Sequence, residues 1–417
     1  MDKIRVVGGI PLAGRVEISG AKNAALPAMA ASILTADAIY LENLPYVRDV
    51  LTIRDLLGEM GAEVEVREDG TATLKAGEIR SWEAPYELVK TMRAAILVLG
   101  PLVGRFKKAR VSLPGGCAIG ARPINLHIAG LERMGAKCDI VHGYVEASTS
   151  GLHGAYILMD TVTVTGTENL MMAATLAEGE TVLDNAACEP EISDLAALLR
   201  GMGAHIEGDG TRTIHVHGSK KLHGCRHRVI PDRIEAGTFA IASAITRGDV
   251  EVANCHPRHL TAVLTQLSQT GAEVSIGTDS FRVRGRDPIS SKNVTTYPYP
   301  AFPTDMQAQY MALMTQGDGS AVITETIFEN RFMHALEMIR MGADITIDGR
   351  QAVVKGRQPL TGARVLASDL RASASLVLAG LVASGETWID RVYHLDRGYH
   401  RIEEKLARLG ANIERVQ

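Results

Sequence analysis

The chain has 417 residues, 46% of them apolar, with 44 Lys+Arg against 48 Asp+Glu and a formal net charge of −4. That length divides into roughly two or three domains with substantial cores, and the balanced charge argues against nucleic acid or a membrane surface as partner. The cysteines, Cys117, Cys138, Cys188, Cys225 and Cys255, are odd in number and contain no C-x-x-C, which fits free thiols in a reducing cytosol.

The first residues, MDKIRVVGGIPLAG, lack the apolar segment of a signal peptide, so a cytoplasmic protein is expected. Residues 1–20 read as a hairpin, IRVVGGIPLAGRVEIS, outside the pattern that follows. From residue 22 onward one unit recurs about every seventy residues. Its marker is an amphipathic helix ending in Gly-Ala: LLGEMGAEVEV, LERMGAKCDI, LLRGMGAHIEG, QLSQTGAEVSI, MIRMGADITI and LARLGANIERV. The glycines Gly61, Gly135, Gly203, Gly271, Gly342 and Gly410 read as helix C-caps, each followed at once by an alternating strand.

Upstream of each marker lies an Ala-rich helix: NAALPAMAASIL, TMRAAILVLGPL, ENLMMAATLA, EAGTFAIASAI, DMQAQYMALM and DLRASASLVLAGLV. A helix apolar nearly all round must be buried on every side. Helix–strand–helix–strand units of this kind predict an α/β fold with the Ala-rich helices packed inside a ring of sheets. The units divide three plus three, with a seam near 228–232. The longest charge-free apolar stretch, Ala372 to Gly385, falls short of the ~20 residues that span a bilayer.

The stretch LPGGCAIGARPINLH at 113–127 places Cys117 among Gly115, Gly116 and Gly120, between Pro114 and Pro123. That composition describes an exposed, movable loop carrying a thiol that is either incidental or reactive. Polar residues head the Ala-rich helices: Lys22-Asn23, Arg93, Thr167-Glu168-Asn169, Asp232-Arg233, Thr304-Asp305 and Asp369-Leu370-Arg371. Capping accounts for Thr304, Asp305, Ser368 and Asp369. It does not account for Lys22, Arg93, Arg233 or Arg371, since a cation near a helix N-terminus opposes the macrodipole by ~0.3–1 kcal/mol. Those cations point to a multiply anionic substrate. The histidines of 205–227 match no zinc spacing, and His215 and His217 fall on one face of a solvated strand, so no metal is expected. His127 begins the helix LHIAGLERM and reads as turned away from the cysteine loop. No Walker loop or Rossmann fingerprint appears.

LPGGCAIGARPINLH, SGAKNAALP, PAFPTDMQAQY, ITETIFENRFMHALEM, DLRASASLVLAG and DRVYHLDRGYHRIEEKL together resemble the enolpyruvyl transferase family, on its nucleotide-sugar branch, over the whole chain. The resemblance implies two inside-out α/β domains of three repeats each: residues 22–229, carrying the cysteine loop, and residues 1–21 plus 230–417, with the active site in the cleft between them. It implies transfer of the enolpyruvyl group of phosphoenolpyruvate to the 3′-hydroxyl of UDP-N-acetylglucosamine, with release of phosphate, at the start of peptidoglycan synthesis. No cofactor, metal or obligate protein partner is implied.

By that resemblance Lys22, Arg122 and Arg397 would hold phosphoenolpyruvate, with Asn23 and Arg93 at the same junction. Cys117 would be the general acid at the enol carbon, and Asp305 would take or orient the sugar hydroxyl proton. Arg122, Pro123, Ile124, Asn125, Leu126, Val164, Thr165, Gly166, Thr167, Asp305 and Ile327 would line the nucleotide-sugar site. Arg331, Asp369 and Arg371 would complete the cleft wall. Asn125 departs from the Asp of many relatives, which bears on a uridine contact. The alternatives are a 5-enolpyruvylshikimate-3-phosphate synthase-like transferase and a non-catalytic nucleotide-sugar-binding repeat protein.

Overall fold

A computed structural model describes residues 2–90, 92–113 and 124–417. The chain divides into two compact units. One runs from Gly20 to Ile230, and the other joins the residues up to Ser19 to Pro231–Gln417. Each unit contains three four-stranded sheets among the described residues.

The repeat is richer in strands than its sequence marker. Each Gly-Ala glycine does end its helix, at φ between 90° and 103°, a left-handed backbone that glycine adopts without a Cβ clash. The strand that follows turns back on itself, and the returning strand inserts between it and the strand after the buried helix. In the sheet built on Ile39–Glu42, the order is Arg226–Arg228, Ile39–Glu42, Ala72–Lys75 and Glu63–Val66, with the first pair parallel and the others antiparallel. The parallel edge strand comes from the last repeat of the same unit and closes the ring.

The expected N-terminal hairpin does not form. Lys3–Val7 pairs antiparallel with both Glu386–Asp390 and Asn412–Val416, with Ile4 opposite Ile389. Ala13–Glu17 instead pairs parallel with Asp249–Ala253, with Val16 opposite Val252. The two strands complete different sheets of their unit. Burying Ile4, Val6 and Val16 in the single core of their unit, from two different sheets, outweighs the local pairing that the intervening Gly-rich turn invites.

The Ala-rich helices lie inside. Every residue of Arg233–Ile245 after Arg233 is buried, and so is all of Leu370–Gly380, Arg371 included. Small side chains let these helices pack at close range, as Gln307–Met314 does along Leu370–Gly380. A Cβ on Gly100 would lie 2.2 Å from the Asn169 carbonyl oxygen, so that crossing admits only glycine. The helix expected over TMRAAILVLGPL begins as a 3-10 turn, Arg93–Val98, and becomes α-helical at Leu99–Phe106, where Asn169 inserts its amide against Ile96 and Gly100. No helix among the described residues is long and apolar enough to cross a membrane.

Candidate functional site

Of the site residues expected from the sequence, Cys117, Arg122 and Pro123 lie outside the described residues. The others fall in two sets, one in each unit.

In the Gly20–Ile230 unit, Lys22 opens helix Lys22–Ala31, and its Nζ sits 3.2 Å from Oδ2 of Asp49. Asp49 lies in the first turn of Arg48–Glu59, on the same stripe as Ile53 and Leu56, so a carboxylate occupies a core-facing position. That break in the apolar stripe is the signal a sequence reading had for Asp49 and passed over. Asn23 is the next residue of the Lys22 helix, and Arg93 heads its 3-10 turn, half-buried.

Ile124, Asn125 and Leu126 start helix Asn125–Arg133, and the first two line a 540 Å³ groove with Ile128, Glu132 and Ile140. His127 turns inward among buried groups. Its Nδ1 accepts from Asn169 Nδ2 at 2.9 Å, which leaves the proton on Nε2, 3.5 Å from Thr165 Oγ1. Burial pushes the His127 imidazole down to about 4, so it is neutral. Val164 and Thr165 are half-buried at the head of helix Val164–Ala174, while Gly166 and Thr167 are fully enclosed. Thr163 caps this helix by accepting from Gly166 N, and Thr167 spends its hydroxyl on Thr163 O at 2.8 Å while accepting from Ala187 N. Glu168 beside it is buried, and burial with the nearby charges of Glu191 and Glu189 raises its carboxyl well above the ordinary range.

The second unit holds a tighter constellation. Asp305 lies in the 3-10 turn Thr304–Met306, where neither Thr304 nor Asp305 caps the helix that follows. The capping expected of them is replaced by arginines. Arg371 donates from Nε at 3.1 Å and Nη2 at 2.9 Å to Asp305 Oδ2, and Arg331 donates from Nη2 at 2.7 Å to Oδ1. Burial by itself would raise the Asp305 carboxyl. The charges of Arg371 and then Arg331, with their hydrogen bonds, outweigh it and hold the group well below the usual carboxylate range. The Asp305 side chain keeps 27% exposure, so a ligand can reach it.

The arginines are themselves braced. Arg371 stands over the Tyr399 ring at 5.5 Å, and the Tyr399 hydroxyl meets Thr238 Oγ1 at 2.9 Å and Gln309 Nε2 at 3.3 Å. Asp369 caps the Arg371 helix by accepting from the Arg371 and Ala372 N–H groups, as expected. Arg331 stands over the Phe328 ring at 5.1 Å and donates from Nη1 to Thr304 Oγ1. Ile327 is half-buried on the same loop, and its N–H donates to Glu325. Arg397 ends the 3-10 turn Val392–Arg397. Its charge helps burial hold the His394 imidazole down, while Asp369 opposes both. Asp305, Arg331 and Arg371 are thus in direct contact, and Asp369 and Arg397 bear on one histidine.

The helix-start cations are matched in part by the chain's own carboxylates: Lys22 by Asp49, Arg371 by Asp305. An opposed helix dipole therefore does not by itself demand an anionic ligand here. Sequence reasoning missed Asp49, Tyr399 and Glu325. It treated Thr304 as a cap, where the hydroxyl is a link between Arg331 and Glu325.

The EPSP synthase (3-phosphoshikimate 1-carboxyvinyltransferase) family model matches residues 6–406. The UDP-N-acetylglucosamine 1-carboxyvinyltransferase of Koribacter versatilis (strain Ellin345) is 60% identical over 419 residues, covering 100% of this chain and 97% of its own. The protein of the same name from Solibacter usitatus (strain Ellin6076) is also 60% identical, with both chains covered in full. Among solved structures, the enolpyruvyl transferase NikO from Streptomyces tendae superimposes with a TM-score of 0.89 at 26% identity, over 100% of this chain and 99% of that one. An EPSP synthase from Acinetobacter baumannii gives a TM-score of 0.76 at 19% identity over the full length of both, a likeness of fold.

Proposed function

The chain belongs to the enolpyruvyl transferase family, and we propose the following division of labour for it. It is a UDP-N-acetylglucosamine 1-carboxyvinyltransferase, transferring the enolpyruvyl group of phosphoenolpyruvate to the sugar 3′-hydroxyl and releasing phosphate. The observation that carries the chemical reading is the Asp305 carboxylate, partly exposed and held ionised between Arg331 and Arg371.

Addition requires a proton at C3 of the enol and a hydroxyl oxygen at C2, giving a tetrahedral phospho-ketal. Elimination then returns a C3 proton to the thiolate that the addition left on Cys117, expels phosphate and restores the double bond. Cys117 serves as the acid, since a free thiol near its reference pKa of ~8.5 is mostly protonated at pH 7. A carboxylate with proton affinity as low as that of Asp305 is a poor resting base but a good acceptor. It orients the sugar hydroxyl and takes the proton only as the C–O bond forms. Lys22, Arg122 and Arg397, with Asn23 and Arg93, hold phosphoenolpyruvate and stabilise the charge of the ketal. Ile124 to Leu126, Val164 to Thr167 and Ile327 serve the nucleotide sugar. In this reading the enzyme works in the cytoplasm, at the entry to peptidoglycan synthesis. The test is phosphate release from phosphoenolpyruvate with UDP-N-acetylglucosamine, with shikimate 3-phosphate, and with neither. Release with the nucleotide sugar alone is expected; release with shikimate 3-phosphate alone would reverse the acceptor.

A further inference from the structure

We infer that Glu325 is a positioning residue for Asp305, acting through Thr304 and Arg331, an inference that rests on the transfer reading above. Glu325 follows strand Ser320–Thr324 and is 1% exposed. Its Oε1 accepts from Thr296 Oγ1 at 2.9 Å, Ile327 N at 2.8 Å and Phe328 N at 3.2 Å, and its Oε2 accepts from Thr304 Oγ1 at 2.8 Å. A buried carboxylate held by several donors is a fixed acceptor.

Thr304 has one hydroxyl proton to give. Donated to Glu325, it leaves the oxygen as an acceptor, and Arg331 Nη1 donates to that oxygen at 2.8 Å. Nη2 of the same guanidinium donates to Asp305 Oδ1. The guanidinium is a rigid planar fork, so fixing one prong fixes the other. Glu325 thereby sets the direction of the Thr304 hydroxyl and, through it, how Arg331 meets Asp305. These bonds lie in largely buried surroundings, where an oriented dipole counts for more than in water. Arg371 reaches the other Asp305 oxygen and is braced separately by Tyr399.

The amide of E325Q would present NH₂ to Thr304. The hydroxyl would then have to accept from it and would turn its own proton toward Arg331, which has only donors to offer. T304V removes the hydroxyl and leaves the other Glu325 bonds in place, while T304S keeps it. The expected result is a fall in kcat of ~10–100-fold for E325Q and for T304V, with a smaller change in KM for the nucleotide sugar, and recovery in T304S. The acid limb of the kcat profile should move to higher pH in E325Q and T304V, because Asp305 loses part of its clamp. The double variant should be no worse than either single one. Values of kcat within about twofold of wild type, or fully additive losses, overturn the inference. If E325Q fails to fold, the Thr304 pair carries the same test. If the wild type transfers no enolpyruvyl group, the functional reading falls. The positioning claim is then decided by crystal structures of E325Q and T304V: a displaced Arg331 supports it, and an Arg331 unmoved against Asp305 overturns it.

Discussion

Arg371 grips Asp305 through a single carboxylate oxygen, Oδ2, with two nitrogens at 3.1 and 2.9 Å, and so leaves Oδ1 to Arg331. In the proposed reading, replacing that carboxylate removes the group that meets the sugar hydroxyl, while the other proposed contacts to the nucleotide sugar remain. Asp305→Ala should therefore lower kcat by ~10²–10⁴ while calorimetry still detects nucleotide-sugar binding. A loss below about tenfold would leave Asp305 a structural partner of its arginines.

The same clamp carries a pH signature. The folded carboxyl titrates below its ordinary value, so its stabilising effect is fully present above the unfolded-state pKa of ~3.9 and is lost as pH falls through the folded value. Urea unfolding of wild type and Asp305→Asn should differ by a constant amount from pH 7 to 5 and converge only in stronger acid. Convergence already at pH 6 would mean that the carboxyl is not held down.

Arg397→Ala should raise KM for phosphoenolpyruvate far more than KM for UDP-N-acetylglucosamine, since the charge-assisted contact proposed for it serves one substrate alone. Initial rates over a grid of both substrates separate the two constants. Equal increases would assign Arg397 to the fold of the Val392–Arg397 turn.

Labelling by a small anionic epoxide such as fosfomycin should fall on Cys117. Burial, first among the causes, pushes Cys138 up to about 11 and Cys255 up to about 12, and raises Cys188 and Cys225 as well. All these thiols stay protonated at pH 8 and react slowly. Mass-spectrometric mapping over time, with and without the nucleotide sugar, should find a single labelled peptide whose labelling is faster when the sugar is bound. A label on Cys188 would overturn the assignment, and no acceleration would overturn the expectation that the bound nucleotide sugar makes Cys117 more reactive.

Buried His127 should make the protein acid-sensitive. Its folded pKa of about 4 lies below the unfolded value near 6.5, so the neutral folded form is favoured above pH 6.5 and loses ground as pH falls toward 4. The loss by pH 4 is ~3 kcal/mol from this residue. His127→Gln, which keeps an acceptor for Asn169, should lie below wild type at pH 7 yet lose less stability on acidification. Parallel losses in the two proteins would show that His127 does not titrate with unfolding.

The periodic features were legible in the chain by itself, because each depends on neighbours in sequence. The Gly-Ala caps at Gly61, Gly135, Gly203, Gly271, Gly342 and Gly410 need only a residue that tolerates positive φ where a helix stops, and every one of them has it. The burial of the Ala-rich helices follows from their lack of a polar face, and Asp369 caps as its position suggests. Which strands pair was not legible: Lys3–Val7 and Ala13–Glu17 look like a hairpin and belong to different sheets, since a strand seeks whichever edge buries its apolar face. The site divides the same way. Asp305, Arg331 and Arg371 could be named from their motifs, but 66 residues separate Asp305 from Arg371, and only the packing of two buried helices brings them into contact. Whether Asp305 is a cap or a clamped acceptor, and whether Thr304 serves a helix or links Arg331 to Glu325, depends on which donors the fold places beside each oxygen. Local sequence carries no record of that.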